Sequence, residues 1–138
     1  LKEYIVATVE EIPTGEKKHV KIEGRSICIF NVNGDYFALR NSCPHQGAPL
    51  CEGSVGGMTV CESTSQGSLD QLVFIKEGEI LRCPWHGWEF DIKTGKSIND
   101  PQRCLVKTYD VKVQSPPETL QAETYPVIIR SDYVIVTI

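Results

Sequence analysis

Apolar and polar positions in this chain follow the short period of strands rather than the longer period of helices. No long segment carries apolar residues at i, i+3, i+4 and i+7, so helix is not expected. β-branched and aromatic residues gather instead in short runs at Tyr4–Thr8, Lys18–Ile22 and Ser26–Val32. Asn33-Gly34 joins the third run to Tyr36–Arg40, and that dipeptide suits the positive-φ positions of a tight hairpin turn. Further strands are expected over Leu72–Ile75, Ile80–Arg82, Glu89–Ile92 and Leu105–Val113, with Lys93–Lys96 as a turn. Val127–Arg130 and Tyr133–Ile138 flank Ser131-Asp132 as a closing hairpin. Two segments read as loops. Glu52–Gln71 holds Gly53, Gly56, Gly57 and Gly67 among Ser, Thr and Gln, and Ser115–Glu123 carries Pro116-Pro117, which cannot continue a central strand. The pattern predicts an all-β antiparallel fold, a sandwich or small barrel with a loop-rich insertion over 52–71.

Composition narrows the class. A chain of 138 residues suits one domain, 1–138, with a modest core. It is 41% hydrophobic and 23% charged, ordinary for a globular protein. No run of 18 apolar residues exists, and no basic segment precedes an apolar one as in a signal peptide. The chain begins at Leu1 rather than Met, which leaves a trimmed leader, anchor or neighbouring domain open. Net charge is −4 with no Lys/Arg cluster, which argues against nucleic acid or an anionic membrane as partner. The expected location is the cytoplasm. An acidic surface suits a basic docking face on a protein, and equally suits simple solubility.

Candidate chemistry enters with the cysteines, of which there are six. Cys28 lies in an apolar strand and reads as a buried small hydrophobe. Cys51 and Cys61 flank the Gly-rich segment and could meet; nothing marks the chain as secreted, so free thiols are expected there. Cys104 has no motif around it. The other two sit in Cys43-Pro44-His45 and Cys83-Pro84-Trp85-His86, each a Cys and a His one or two residues apart, each following an expected strand. Pro44 and Pro84 forbid ordinary strand pairing, and Gly47 and Gly87 permit the chain to turn. Two such loops brought together would offer two thiolates and two imidazoles. Zinc fingers usually order their ligands as a Cys pair followed by a His pair. Here each loop offers one of each, which favours a mixed-ligand iron–sulfur cluster.

The boxes Cys43-Pro44-His45-Gln46-Gly47-Ala48-Pro49-Leu50 and Cys83-Pro84-Trp85-His86-Gly87-Trp88-Glu89-Phe90-Asp91 resemble those of Rieske proteins. They are most similar to Rieske ferredoxins and to the Rieske domains of ring-hydroxylating oxygenases. The resemblance spans nearly the entire chain. It implies an antiparallel sandwich of small sheets with two cluster-binding loops, 43–50 and 83–91. It also implies a [2Fe–2S] cluster in which Cys43 and Cys83 bind one iron while His45 and His86 bind the other. Asn99-Asp100-Pro101 resembles the proline-containing loop that covers the cluster in the family, although an ordinary Asx-Pro turn has the same sequence. Thirty-seven residues separate His45 from Cys83, long for a ferredoxin of this type, and the excess falls in 52–71. Relatives from cytochrome bc-type complexes add a cysteine to each box; those positions are Ala48 and Trp85 here, so that bridge is impossible. Hydroxyl side chains after the second box of those relatives are replaced by Trp88 and Phe90. Fewer donors to the cluster place its potential in the lower half of the Rieske range, with little dependence on pH near neutrality.

The resemblance implies a ferredoxin that takes single electrons from a flavin-dependent reductase and passes them to a terminal oxygenase. It would be an electron-transfer component rather than an enzyme on its own. A severed oxygenase domain and a redox-sensing module are the alternatives. A complete oxygenase is rejected, because its catalytic iron needs two further histidines, and only His19 remains, in a charged strand expected to be solvated. Around the cluster, Leu50 and Trp85 are expected to pack, with the outer nitrogens of His45 and His86 at solvent.

Overall fold

A computed structural model describes residues 2–44, 47–62, 71–114 and 132–138, with side chains placed for all of these except 59–62 and 71–74. It is built of nine strands among these residues: β1 (Glu3–Thr8), β2 (Lys17–Ile22), β3 (Arg25–Val32), β4 (Asp35–Arg40), β5 (Ser54–Glu62), β6 (Gln71–Arg82), β7 (Glu89–Asp91), β8 (Thr108–Gln114) and β9 (Tyr133–Thr137). All pairings are antiparallel. The all-β expectation is met. The chain forms two compact units, Leu1–Asn41 with Lys107–Ile138, and Ser42–Val106.

The first unit is a six-stranded sheet in the order β1-β9-β8-β4-β3-β2. Its hairpins follow from turn chemistry. Asn33 (φ 52°) and Gly34 (φ 95°) join β3 to β4, as the dipeptide predicts, and Glu23 (φ 50°) and Gly24 (φ 80°) join β2 to β3 in the same way. Every residue of β3 from Ile27 to Val32 is buried, so both faces of this strand are covered. Ile12, Ile27, Ile29, Val134 and Val136 are fully inaccessible and form the core with Ala7, Ile22 and Ala38. Each such side chain contributes on the order of 1.5–3 kcal/mol by leaving water. One polar side chain enters this region. Asn31, 6% exposed, donates from Nδ2 to the Ile12 carbonyl at 2.8 Å and accepts the Gly34 N–H at 2.8 Å. The Tyr36 hydroxyl lies 3.0 Å from the same Ile12 carbonyl and 3.1 Å from that of Val9. Together they hold the 3₁₀ turn Val9–Glu11 against the β3–β4 hairpin.

The second unit carries a three-stranded sheet in the order β5-β6-β7. Here the sequence reading needs correcting. Much of the expected loop 52–71 is strand: β5 covers Ser54–Glu62 and pairs with β6 on both sides of one bulge. Its glycines and hydroxyl residues masked a strand that needs few apolar side chains of its own. The two expected strands Leu72–Ile75 and Ile80–Arg82 are one, because the polar stretch between them is a bulge. Gly56 pairs with Ile80 and Met58 with Ile75, which leaves Lys76–Glu79 out of register. Lys76 (φ 54°) and Gly78 (φ 79°) take the turn. The bulge is tied to the turn after β7 by Lys76–Asp91 and Lys93–Glu79 ion pairs, both 3.2 Å, and by the Ile92 N–H donating to the Glu79 carbonyl at 2.9 Å. The expected loop 115–123, the strand 127–130 and residues 63–70 of the insertion lie outside the described residues. So does Ser131, the first residue of the closing turn.

Candidate metal centre

Both boxes fall in the second unit. Box one follows β4 and box two follows β6, and the backbone folds the same way in each. The Cys43 N–H donates to the Ala48 carbonyl at 2.8 Å, and the Gly47 N–H returns to the Cys43 carbonyl at 2.7 Å. The Cys83 N–H donates to the Trp88 carbonyl at 2.7 Å, and the Gly87 N–H returns to the Cys83 carbonyl at 3.0 Å. Each loop is therefore closed by one bond from Cys to the residue five later and one from the glycine four later. Gly47 (φ 77°) and Gly87 (φ 71°) supply the left-handed step that closes it, a conformation costly for any residue with a Cβ. Pro44 and Pro84, second in each loop, have no N–H to satisfy.

This repeat fixes where the side chains sit. Cys43 and Cys83 stand outside any disulfide, each 2% exposed. Pro84, Trp85, His86 and Gly87 are all exposed, as are Pro44 and Gly47. Box two thus holds its sulfur beneath and presents the His86 imidazole at the surface. His45 lies outside the described residues, and no three His, Cys, Asp or Glu side chains among the described residues gather as a metal site. Leu50, which ends box one and opens the 3₁₀ turn Leu50–Glu52, is fully buried. Trp85 is not packed inward as expected: it is 57% exposed. It sits on the outer arc of a loop whose inward position is already taken by Cys83, while Phe90, back in the sheet, is fully buried.

The Asn99-Asp100-Pro101 segment is an anchored turn. The Asp100 N–H donates to Ser97 Oγ at 3.2 Å, and the Asp100 carbonyl accepts the N–H of Cys104 at 3.0 Å and of Arg103 at 3.3 Å. Ser97 itself is buried. Burial and the nearby Asp100 carboxylate push the half-buried Cys104 thiol up. Cys28 and Cys51 are half-cystines, which corrects the expectation of a free thiol at Cys51 and of a purely apolar role at Cys28. Nothing in a linear sequence records which sulfurs the fold brings to bonding distance. The side chain of Cys61 lies outside those described. His19 is exposed as expected, yet its Nε2 contacts Ser26 Oγ, which also accepts from Asn41 Nδ2 at 3.1 Å.

A family model of the Rieske [2Fe-2S] domain matches residues 2–110. The chain belongs to the Rieske [2Fe–2S] family. The ferredoxin component of the naphthalene 1,2-dioxygenase/salicylate 5-hydroxylase systems of Ralstonia sp is 29% identical over 85% of this chain and 92% of that protein. The ferredoxin of Sphingomonas yanoikuyae B1 has a solved structure with a TM-score of 0.59 and 28% identity, covering 82% of this chain and 91% of that one. A chain from the complex of reduced oxygenase and oxidized ferredoxin in carbazole 1,9a-dioxygenase shares the fold, with a TM-score of 0.61 and 19% identity over 96% of this chain and 91% of that one. The Rieske family carries a [2Fe–2S] cluster, and the donor chemistry of these loops suits one: two buried cysteines outside any disulfide at equivalent places in twinned loops, with His86 beside the second. No helix among the described residues is long and apolar enough to cross a membrane.

Proposed function

We propose that this protein is an electron-transfer Rieske ferredoxin in which Cys43, His45, Cys83 and His86 hold the cluster. It takes single electrons from a flavin-dependent reductase in the cytoplasm and delivers them to a terminal oxygenase. The observation that carries this reading is the twinned loop. Two segments far apart in sequence fold to the same hydrogen-bonded shape and bury one thiol each. A chance cysteine has no need of such a cradle.

When bound, the cluster supplies a site that accepts and gives up one electron. The chain's own residues do the rest. Cys43 and Cys83 ligate from the buried side, where low water access protects the sulfurs. His86, exposed at the tip of box two, would hold the cluster from the solvent side and give it a short route to a partner. Exposed Trp85 and Pro84 give that tip an apolar surface that a partner can cover. The relatives support the direction of flow: one is named as the ferredoxin component of dioxygenase systems.

Single-turnover mixing tests the function. Chemically reduced protein, mixed anaerobically with an oxidised terminal oxygenase of this class, is expected to reoxidise as the oxygenase becomes reduced. A flavin-dependent reductase with NADH is expected to re-reduce it. Reduction that proceeds with no onward transfer to any oxygenase would contradict the assignment and favour a sensing role.

A further inference from the structure

The loop that ends box one and the strand that leads into box two meet at a single residue without a side chain. Gly53 follows the 3₁₀ turn Leu50–Glu52 and donates its N–H to the Leu50 carbonyl at 2.9 Å. A Cβ at Gly53 would lie 2.1 Å from the carbonyl oxygen of Arg82, 3.2 Å from its carbonyl carbon and 3.1 Å from the Leu50 oxygen. The first distance is far inside any contact that real Cβ atoms make, and the obstacle is backbone, which cannot swing aside. Glycine is not here for its backbone freedom, since φ is −73° and ψ 170°, open to any residue. It is here for space.

What lies on either side of that contact gives the space its meaning. The Arg82 carbonyl belongs to the peptide that joins Arg82 to Cys83. Displacing it turns the Cys83 N–H, whose bond to the Trp88 carbonyl closes box two. Displacing Gly53 instead pulls on the turn containing the fully buried Leu50, two residues beyond Ala48, whose carbonyl closes box one. We infer that Gly53 is a positioning residue that sets the separation of the two cluster loops. This rests on the ligand reading above. Magnitude decides whether the effect reaches the site. Relieving the contact requires a retreat of roughly 1 Å, whereas a ligand set tolerates displacements of only about 0.5 Å. The strand pair cannot absorb the shift by sliding, because Ser54 and Arg82 are already paired as the first rung of the β5–β6 ladder.

The structure provides its own control. Gly56, three residues on in β5, has nothing within 4 Å of its would-be Cβ and an ordinary backbone conformation. Gly53→Ala and Gly56→Ala proteins, purified alongside the wild type, are compared for iron and acid-labile sulfide per chain, EPR g values and far-UV circular dichroism. Gly53→Ala is expected to keep its β-sheet signal, to hold on the order of tenfold less cluster, and to show displaced g values in what remains. Gly56→Ala is expected to match the wild type in all three. Wild-type cluster content with unchanged g values in Gly53→Ala would overturn the inference. So would loss of its β-sheet signal, which would make Gly53 a residue of the fold rather than of the site. Amide chemical shifts of the metal-free proteins separate this claim from the ligand reading. Shifts at Cys43, Ala48, Cys83 and Trp88 that move in Gly53→Ala and stay in Gly56→Ala uphold the loop-spacing claim even if the wild type proves to hold no Rieske cluster; shifts that stay put in both overturn it.

Discussion

The six-stranded unit and the cluster-loop unit bury different kinds of residue. In the first, the inaccessible positions include Ile12, Ile27, Cys28, Ile29, Leu39, Val134 and Val136, and the one buried polar side chain among the described residues, Asn31, bonds through both its nitrogen and its oxygen. In the second, Leu50, Leu81, Phe90 and Ile92 are as inaccessible, but Cys43, Cys83, Gly53, Gly95 and Ser97 are buried beside them, while Trp85 stands out in solvent. The first unit is held by apolar area removed from water. The second is held as much by backbone bonds that shape two loops. Where a loop holds its tryptophan outside and the cysteine two residues before it inside, hydrophobic burial alone does not set that loop, and chemistry is the better explanation.

The sharpest way to break this contrast is through the thiols and imidazoles. Cys43→Ser, Cys83→Ser, His45→Ala and His86→Ala are each expected to abolish or severely reduce iron and sulfide content while leaving the six-stranded unit folded. Cys104→Ser is expected to leave the content intact. Elemental analysis with circular dichroism checks this, and normal iron in His86→Ala would sink the ligand set. Next in size are the apolar positions. Ile29→Ala in the first unit is expected to cost about 2–5 kcal/mol and Phe90→Ala in the second about 3–5 kcal/mol, measured by urea unfolding. Trp85→Ala, despite its size, is expected to stay within about 0.5 kcal/mol of wild type. A cost at Trp85 equal to that at Phe90 would mean the ring is packed after all. Asn31→Ala is expected to cost about 0.5–1.5 kcal/mol, because it removes the bonds to the Ile12 carbonyl and the Gly34 N–H.

The smallest expected effect is alkaline. Burial pushes the Tyr36 phenol up, partly offset by the Asn31 amide nearby. The unfolded chain therefore loses this proton first, so the contribution is whole below about pH 10 and declines as pH rises through the higher folded value. Tyr36→Phe is expected to flatten that part of the stability profile between about pH 9 and 11; an unchanged alkaline slope would assign it to other groups. The reduction potential is a separate test of the sequence reading. With Trp88 and Phe90 in place of hydroxyl donors, film voltammetry is expected to place it in the lower half of the range from about −150 to +300 mV, with little slope near pH 7. A value well above zero would require donors other than those two positions.

The strands of the first unit were legible because their signals are local. Asn33-Gly34 names its own turn, and β3 is apolar along its length. β5 was not legible, since Gly56 and Gly57 give a strand the composition of a loop, and the bulge at Lys76–Glu79 cut β6 in two. The boxes were legible because two Cys–His pairs at ligand spacing are rare. Two features of the site were not: the exposure of Trp85 and the approach of Gly53 to the Arg82 carbonyl. Both depend on what the fold places, or does not place, beside a residue in space, which neighbours in sequence do not record.

The central claim is that two thiolates and two imidazoles from twinned loops share one cluster. Pulsed EPR of the dithionite-reduced protein, purified without added metal, addresses it directly. The wild type is expected to give a reduced [2Fe–2S] signal with strong coupling to two inequivalent ¹⁴N nuclei, and His86→Ala to lose one or both. A reduced cluster with no strong nitrogen coupling, as four cysteine ligands would give, would contradict it.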